Sequence, residues 1–244
     1  MIISHKYKFI FTRVAKTASS SLLHHETGPL ALQKVKYEKS EQEIRKHVAE
    51  TGDSPVPNFV YQNFDSVDSF CSFHQINDWN HIPMFLAKAY VKPWQYNSYF
   101  KFGFVRNPFD RIVSAFEYTK KWYKKNSKSS EIFRKNEQIL QLHNFKKWIL
   151  HEYGANGKLG KYGSQSEYVH GCDFIGRFEN LDEHVKYAMN KIDPTLYTPL
   201  NKVNKSASSK KHYSEWYDDD TIEIVSHLWA KDIKNFGYKF EKQI

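Results

Sequence analysis

Short runs of apolar residues alternate with amphipathic stretches along most of the chain. Consecutive apolar residues predict buried strands over residues 7–14, 99–105 and 172–178, since a strand covered on both faces needs apolar side chains on both. Apolar residues at the spacing of one helical face predict helices over residues 17–25, 41–50, 81–89, 110–123, 145–151, 181–192 and 219–230. Strands that alternate with helices indicate an α/β fold with a central parallel sheet flanked by helices. We therefore expect a single domain over residues 1–244.

The first predicted strand ends at a lysine that is followed by small and hydroxyl-bearing residues. Residues 9–21 read FIFTRVAKTASSS. The first N–H groups of a helix collect anions, and a lysine adds a mobile positive charge. We predict that a phosphate binds here, at Lys16, Thr17, Ala18, Ser19, Ser20 and Ser21. Arg13 either joins this site or faces solvent, and the spacing does not separate the two alternatives.

A second junction of the same kind follows the strand predicted over residues 99–105, within the segment FGFVRNPFDRIVS. Asn107 suits a helix N-cap and Pro108 suits the first helical position. This arrangement brings Arg106 and Ser114, which are eight residues apart, to one helix end. Both junctions lie at the carboxyl ends of predicted parallel strands, where α/β sheets bind their ligands.

The composition fits one water-soluble domain. Hydrophobic residues make up 40% of the 244 residues and aromatic residues 16%, which is enough for a packed core. The mean hydropathy of −0.69 is too polar for an integral membrane protein. The first strand begins almost at once, with no signal-peptide pattern or membrane anchor before it, so we expect a cytoplasmic protein. Cys71 and Cys172 form no metal-ligand pattern, and we expect both to be reduced.

The charge balance favours an anionic partner. The chain carries 36 Lys and Arg against 27 Asp and Glu, a net charge of +9, which suits a nucleotide with several phosphates, an acidic glycan or nucleic acid. No RNA-recognition signature or zinc-finger spacing is present in the sequence, so nucleic acid is the weaker interpretation. The basic stretch over residues 120–128 is either a solvated helix end or a surface that binds a polyanion.

The two junctions together resemble the nucleotide-binding motifs of the sulfotransferases that use 3′-phosphoadenosine 5′-phosphosulfate. Residues 16–21 resemble their 5′-phosphosulfate loop, and residues 106–114 resemble their 3′-phosphate motif. Residues 173–181, 204–206 and 232–238 also match family habits, so the resemblance covers nearly the whole chain. It is closest to the carbohydrate O-sulfotransferases of the heparan 2-O and chondroitin type and to their soluble bacterial relatives. It implies their P-loop-like nucleotide-binding fold.

The resemblance also implies roles for individual residues. Lys16 would neutralise the leaving phosphate, and Arg106 with Ser114 would bind the 3′-phosphate. A late loop would close over the nucleotide through Asn204, Lys205 and Ser206. No paired-aspartate motif for a divalent ion is evident in the sequence, and lysines with helix termini can neutralise the leaving group, so we expect no metal requirement.

A histidine is the expected general base, because its pKa lies near working pH. The 2-O-type relatives place their catalytic histidine before the second phosphate strand, where this chain has His74 and His81. His81 matches the position better, although Pro83 departs from the expected helix start. His74 is the second candidate, and a carboxylate such as Asp78, or no base at all, is the remaining possibility.

The expected function is transfer of a sulfonate group to the hydroxyl of an acceptor. By resemblance the acceptor is a carbohydrate, and a glycan or glycolipid precursor fits the expected compartment. Aromatic side chains in candidate acceptor loops either stack on sugar rings or lie in the core: Phe59, Tyr61, Trp122 and Tyr162. The alternatives are an atypical P-loop-like kinase, although the loop lacks the usual glycines, and a non-catalytic module that binds anions or nucleic acid. The oligomeric state stays open.

Overall fold

The computed structural model describes residues 1–4, 7–22, 81–89, 91–126, 144–154, 162–197, 199–200 and 211–243. Among these residues, four strands form one sheet in the order β1-β2-β3-β4, with bounds Ile2–Ser4 for β1, Phe9–Thr12 for β2, Phe100–Val105 for β3 and Phe174–Arg177 for β4. The pairs β2–β3 and β3–β4 are parallel, whereas β1 is antiparallel to β2. The α/β class with a mostly parallel sheet is therefore confirmed, and β1 adds an antiparallel edge that the sequence patterns did not predict.

The helices follow the predicted order with several differences in their bounds. The α-helices are α1 Ser19–Leu22, α2 Pro93–Ser98, α3 Pro108–Asn126, α4 Phe145–Ile149, α5 Gln165–Tyr168, α6 Leu181–Ile192, α7 Asp219–Leu228 and α8 Ala230–Phe236. Within the described residues, four 3₁₀ helices span Met84–Ala89, Phe178–Asn180, Pro194–Leu196 and Tyr213–Trp216, and α4 continues as a π-helical turn over Leu150–Gly154. The helix predicted over residues 41–50 lies outside the described residues.

Three of these differences concern short segments. The segment predicted as a helix over residues 81–89 becomes helical only at Met84, where a 3₁₀ helix begins, because proline lacks a backbone donor and disfavours helical geometry in the residue before it. Trp229 interrupts the helix predicted over residues 219–230, and a separate helix, α8, follows. The short helices α2 and α5 are too brief to show a helical period in the sequence.

The residues group into two compact units that alternate along the chain. The first comprises Met1–Arg106 and Gln165–Val203, and the second comprises Asn107–Ser164 and Asn204–Ile244. The expectation of a single domain stays a prediction.

In the first unit, the sheet separates two apolar clusters, because successive side chains of a strand point to opposite faces. Ile3 and Ile10 pack on one face with Ile82, Met84 and Ala87 of the segment before α2. The other face is dominated by phenylalanines of β2 and β3, which pack against α6 through Val185, Ala188 and Met189. Both faces of the sheet are thus covered, as the runs of apolar residues predict.

Two glycines in the sheet leave room for side chains of the neighbouring strands. A Cβ atom on Gly176 would lie 2.4 Å from a ring carbon of Phe104, and one on Gly103 would lie 2.7 Å from Cγ2 of Thr12. Real Cβ atoms do not approach so closely, so any larger residue would displace the ring or the strand. Gly103 pairs with Thr12 in the β2–β3 ladder, and the glycine therefore preserves the end of β2.

The second unit has an aromatic core around α3. Phe116 contacts the rings of Phe145, Trp148 and Trp216 at centroid distances of 5.3–5.7 Å. The predicted start of α3 is confirmed, because Asn107 Oδ1 accepts a hydrogen bond from the N–H of Phe109 at 3.1 Å. Asn107 Nδ2 also donates to the carbonyl of Lys239 at 3.0 Å, so one side chain starts the helix and holds the C-terminal segment.

No helix among the described residues is long and apolar enough to span a bilayer.

Candidate active site

The loop between β2 and α1 has an unusual backbone. Lys16 and Ala18 both take left-handed conformations, with φ of 68° and 65°. Non-glycine residues avoid this region, at a cost of about 1–2 kcal/mol each. Left-handed residues within a tight loop turn backbone N–H groups toward one concavity, which is how anion-binding loops are built. Such strain is a reason to suspect function at residues 16–18.

Hydrogen bonds within this loop fix its path into α1. The Thr17 hydroxyl, which is almost fully buried, donates to the carbonyl of Val14 at 2.9 Å. The N–H groups of Ser21 and Leu22 donate to the carbonyl of Ala18 at 2.8 and 3.2 Å. Ala18 therefore begins the first turn of α1, whose leading N–H groups lie where a helix provides no internal acceptor.

The segment that begins with His81 attaches to the end of β2. Thr12 Oγ1 donates to the carbonyl of Ile82 at 2.7 Å, and Nδ1 of His81 lies 2.8 Å from the carbonyl oxygen of Arg13. A carbonyl only accepts hydrogen bonds, so Nδ1 carries the proton in this contact, and in the neutral ring the lone pair is on Nε2. His81 is thereby placed beside the first residue of the loop, in the tautomer that suits a base acting through Nε2.

Arg106 joins the loop from the end of β3. Its Nη1 atom donates to the carbonyl of Lys16 at 3.2 Å. The guanidinium lies over the ring of Phe178, with Cζ 4.0 Å from the ring centroid, which is close enough for a cation–π contact. Two segments that are 90 residues apart in sequence therefore meet at one hydrogen bond.

The backbone of Arg106 is held by Gln165, a residue that the sequence reasoning missed. Gln165 Oε1 accepts from the N–H of Arg106 at 2.9 Å, and Gln165 Nε2 donates to the carbonyl of Arg106 at 2.8 Å. Gln165 is fully buried. No local pattern identifies it, because its partner is 59 residues away in sequence. Phe178 was noted only as part of a matching segment.

Comparison with family models identifies the protein family of the chain. A model described as the sulfotransferase family matches residues 1–239. The chain belongs to the sulfotransferase family. Comparisons with curated proteins and with solved structures give no match. The specific likeness to heparan 2-O and chondroitin enzymes is finer than this match and stays a proposal.

In this sulfotransferase, the first unit brings together Arg13, Lys16, Thr17, Ala18, Ser19, Ser21, His81 and Arg106, and the backbone of Ser20 lies among them. Ser114 lies half-buried on α3 in the second unit, so its approach to Arg106 remains a prediction. His74, Asp78, Asn204, Lys205 and Ser206 lie outside the described residues, as do Phe59, Tyr61 and Cys71.

Two of the aromatic residues predicted to stack on an acceptor, Tyr162 and Trp122, differ in exposure. Tyr162 is 5% exposed, and its carbonyl accepts hydrogen bonds from Trp229 Nε1 at 2.9 Å and from Arg111 Nη1 at 3.3 Å. It is a core residue and does not present its ring to a sugar. Trp122 on α3 is 47% exposed, as a stacking residue has to be.

An ion pair between the buried Lys101 and the exposed Asp173 lies at the amino end of β3, away from the strand ends that carry the loop and Arg106. Lys101 Nζ contacts Asp173 Oδ2 at 2.9 Å and donates to the carbonyl of Tyr99 at 2.9 Å. Burial, with a smaller contribution from the Asp173 carboxylate, raises the pKa of the Cys172 thiol well above its ordinary value. Cys172 is a free cysteine that stays protonated near neutral pH, so it is not an activated nucleophile.

Within the described residues, no group of three or more His, Cys, Asp and Glu side chains is arranged to hold a metal ion. The expectation of a metal-independent reaction stays a prediction.

Proposed function

We propose that this sulfotransferase transfers a sulfonate group from 3′-phosphoadenosine 5′-phosphosulfate to a carbohydrate hydroxyl. The observation that carries the proposal is the hydrogen bond from Arg106 Nη1 to the carbonyl of Lys16. It joins the segment that resembles the 3′-phosphate motif to the segment that resembles the 5′-phosphosulfate loop. Both segments follow parallel strands that are neighbours in the sheet, which is where α/β proteins bind nucleotides.

The chemistry of the donor groups fits a nucleotide with two separated anionic ends. At one end are the left-handed loop and a lysine, which suit a phosphate bound largely by backbone N–H groups. At the other is an arginine, whose five donors allow it to hold the Lys16 carbonyl and still bind a phosphate. When bound, the nucleotide would supply an activated sulfonate and a phosphate leaving group. In the proposal, Lys16 holds the first anionic end, Arg106 and Ser114 hold the second, and the loop at residues 204–206 covers the nucleotide.

In this proposal, Lys16 stabilises the leaving phosphate and His81 deprotonates the acceptor hydroxyl. The ammonium group of Lys16 stabilises the negative charge that develops as the phosphate departs. Nε2 of His81 takes the proton of the attacking acceptor hydroxyl, while Nδ1–H stays on the Arg13 carbonyl at 2.8 Å. That bond holds the ring in one orientation, so it does not have to be ordered again when the acceptor binds. Arg13 contributes through its carbonyl in this account.

A carbohydrate acceptor is supported by the likeness to the carbohydrate O-sulfotransferases and by the surface of α3. Trp122 and Tyr118 are each 47% exposed, and the exposed Lys121 lies between them in sequence. Aromatic rings stack on the apolar faces of sugars, and lysine suits the carboxylates or sulfates of an acidic glycan. An acidic oligosaccharide or a glycolipid headgroup is therefore the proposed acceptor class.

Turnover tests the proposal directly. The purified protein is incubated with 3′-phosphoadenosine 5′-phosphosulfate and a set of unsulfated glycans, and release of the bisphosphate product is measured. We expect acceptor-dependent release, and a loss of about 10²–10³-fold in kcat for Lys16→Met, the size typical of removing one group that stabilises developing charge.

Lys8→Met is the matched control. Lys8 also has a left-handed backbone, with φ of 52°, but it lies exposed before β2, at the opposite end of the same strand. Its replacement should leave the rate unchanged. Equal losses in the two lysine variants would contradict the role of Lys16. Turnover with ATP and magnesium but not with the sulfonate donor would favour a kinase instead.

A further inference from the structure

Arg106 is the first residue after β3, so it has no partner in the β3–β4 ladder. The ladder between β3 and β4 ends at the pair Val105 and Arg177. The next peptide group on β3 belongs to Arg106, and its N–H and carbonyl need partners if they are to stay out of water. The Gln165 side chain supplies both partners, through bonds of 2.9 and 2.8 Å.

The side-chain amide of Gln165 makes the two backbone hydrogen bonds that a residue of a neighbouring strand would otherwise make. It accepts from one backbone N–H and donates to one carbonyl, as a strand neighbour does, and it comes from α5 rather than from the sheet. Because Gln165 is fully buried, these bonds face little competition from water and set the backbone direction of Arg106 firmly.

The position of the Arg106 backbone decides where its guanidinium lies. The guanidinium is limited on one face by the ring of Phe178, at 4.0 Å, and at its Nη1 atom by the carbonyl of Lys16, at 3.2 Å. Lys16 is in turn one of the two left-handed residues of the loop. A continuous series of contacts therefore runs from Gln165 through Arg106 to the loop.

We infer that Gln165 is a positioning residue for nucleotide binding, which sets the place of Arg106 and, through it, the shape of the loop at Lys16. The inference rests on the proposed function for its ligand, a nucleotide with 3′- and 5′-phosphate groups. Gln165 itself acts on Arg106, and its effect on the ligand is transmitted by that arginine.

Binding calorimetry with a double-mutant cycle tests this inference. The probe is 3′-phosphoadenosine 5′-phosphate, and the variants are Gln165→Met, Arg106→Ala and the double variant. Methionine keeps the buried volume and removes both hydrogen bonds. We expect Gln165→Met to weaken binding about tenfold in the wild-type background, and to have almost no effect in the Arg106→Ala background, because the residue that it positions is then gone.

Gln95→Met is the matched control. Gln95 also makes two side-chain hydrogen bonds in the first unit, one to the N–H of Lys92 and one to the hydroxyl of Tyr99, but it holds α2. Its replacement should leave nucleotide affinity unchanged. Equal losses from Gln165→Met with and without Arg106 would show a general structural effect and overturn the inference, and so would an unchanged affinity. If Gln165→Met does not fold, Gln165→Glu serves, because it keeps the acceptor for the Arg106 N–H and removes the donor to the carbonyl.

A measurement without nucleotide separates this inference from the proposed function. In amide NMR spectra, Gln165→Met should shift the signals of Arg106, Lys16 and Ala18, while Gln95→Met should not. If wild-type protein does not bind the bisphosphate, the proposed function fails and these shifts still decide whether Gln165 sets the loop. If the protein binds and the signals of Lys16 and Ala18 stay in place, the inference alone fails.

Discussion

Single residues at the end of β2 are held in conformations that they would not adopt alone. The left-handed backbone of Lys16 and Ala18 persists because the Thr17 hydroxyl and the Arg106 guanidinium hold the neighbouring carbonyls of Val14 and Lys16. Strain of this kind is stable only where the surroundings determine it. The shape of the loop is therefore set by contacts within the protein.

His81→Asn gives the sharpest test at this scale. The amide of asparagine can replace Nδ1–H as the donor to the Arg13 carbonyl, but it has no equivalent of Nε2. We expect kcat to fall about 10²–10⁴-fold, as for the loss of a general base, with the KM for the nucleotide nearly unchanged. Steady-state kinetics check both values. His227→Asn, on the exposed side of α7, is the control, and a kcat near the wild-type value in His81→Asn would show that another group is the base.

The residues that sequence could identify are those whose chemistry is local. Lys16 and Arg106 each follow an apolar strand and precede a helix, so their types and neighbours point to anions. Gln165 and Phe178 contact Arg106, and those contacts exist only after the chain has folded. The tautomer of His81 likewise depends on a carbonyl 68 residues away in sequence.

Among the secondary-structure elements, long apolar runs were predictable and short elements were not. The strands β2, β3 and β4 and the helix α6 lie within or at the predicted ranges, because their apolar positions follow a strand or helix period over enough residues to be distinctive. The three-residue strand β1 and the helices α2 and α5 depend on tertiary contacts. One such contact is the pairing of Ile3 with Ile10.

Helix α7 offers a prediction about pH. Asp218 Oδ1 accepts from the N–H and from the hydroxyl of Thr221, each at 2.8 Å. These bonds, with the backbone N–H first in importance, hold the pKa of the Asp218 carboxyl below its ordinary value. A lowered pKa in the folded state means that the ionised carboxylate stabilises the fold above the unfolded pKa, and that this contribution is lost as the pH falls through the folded pKa.

Asp218→Ala should therefore lower the Tm by roughly a few degrees near neutral pH, as for the loss of a helix cap. Thermal unfolding at a series of pH values should show the difference from wild type shrinking in acid, below the usual range of an aspartate. Asp219→Ala leaves the capping bonds of Asp218 in place and is the control. A difference that stayed constant into acid would mean that the charge of Asp218 does not contribute.

At the scale of the whole molecule, the family match is more informative about function than the net charge. The net charge of +9 attracts phosphates, acidic glycans and nucleic acids alike, so it does not select a partner. The family match over residues 1–239 spans residues of both units, and the contact of Arg106 with the loop at Lys16 lies within the first unit. The class of binding partner is therefore indicated by particular residues and not by the overall charge.

The most direct test of the account is calorimetric titration of the wild-type protein and of Arg106→Ala with 3′-phosphoadenosine 5′-phosphate, AMP and ATP. AMP lacks the 3′-phosphate, so it serves as the matched ligand for the contact that Arg106 is proposed to make. We expect the wild-type protein to bind the bisphosphate with a Kd of about 1 μM and at least about tenfold more tightly than AMP or ATP, and we expect Arg106→Ala to lose this preference. Equal affinity for all three nucleotides, or a preference that survives in Arg106→Ala, would contradict the central claim.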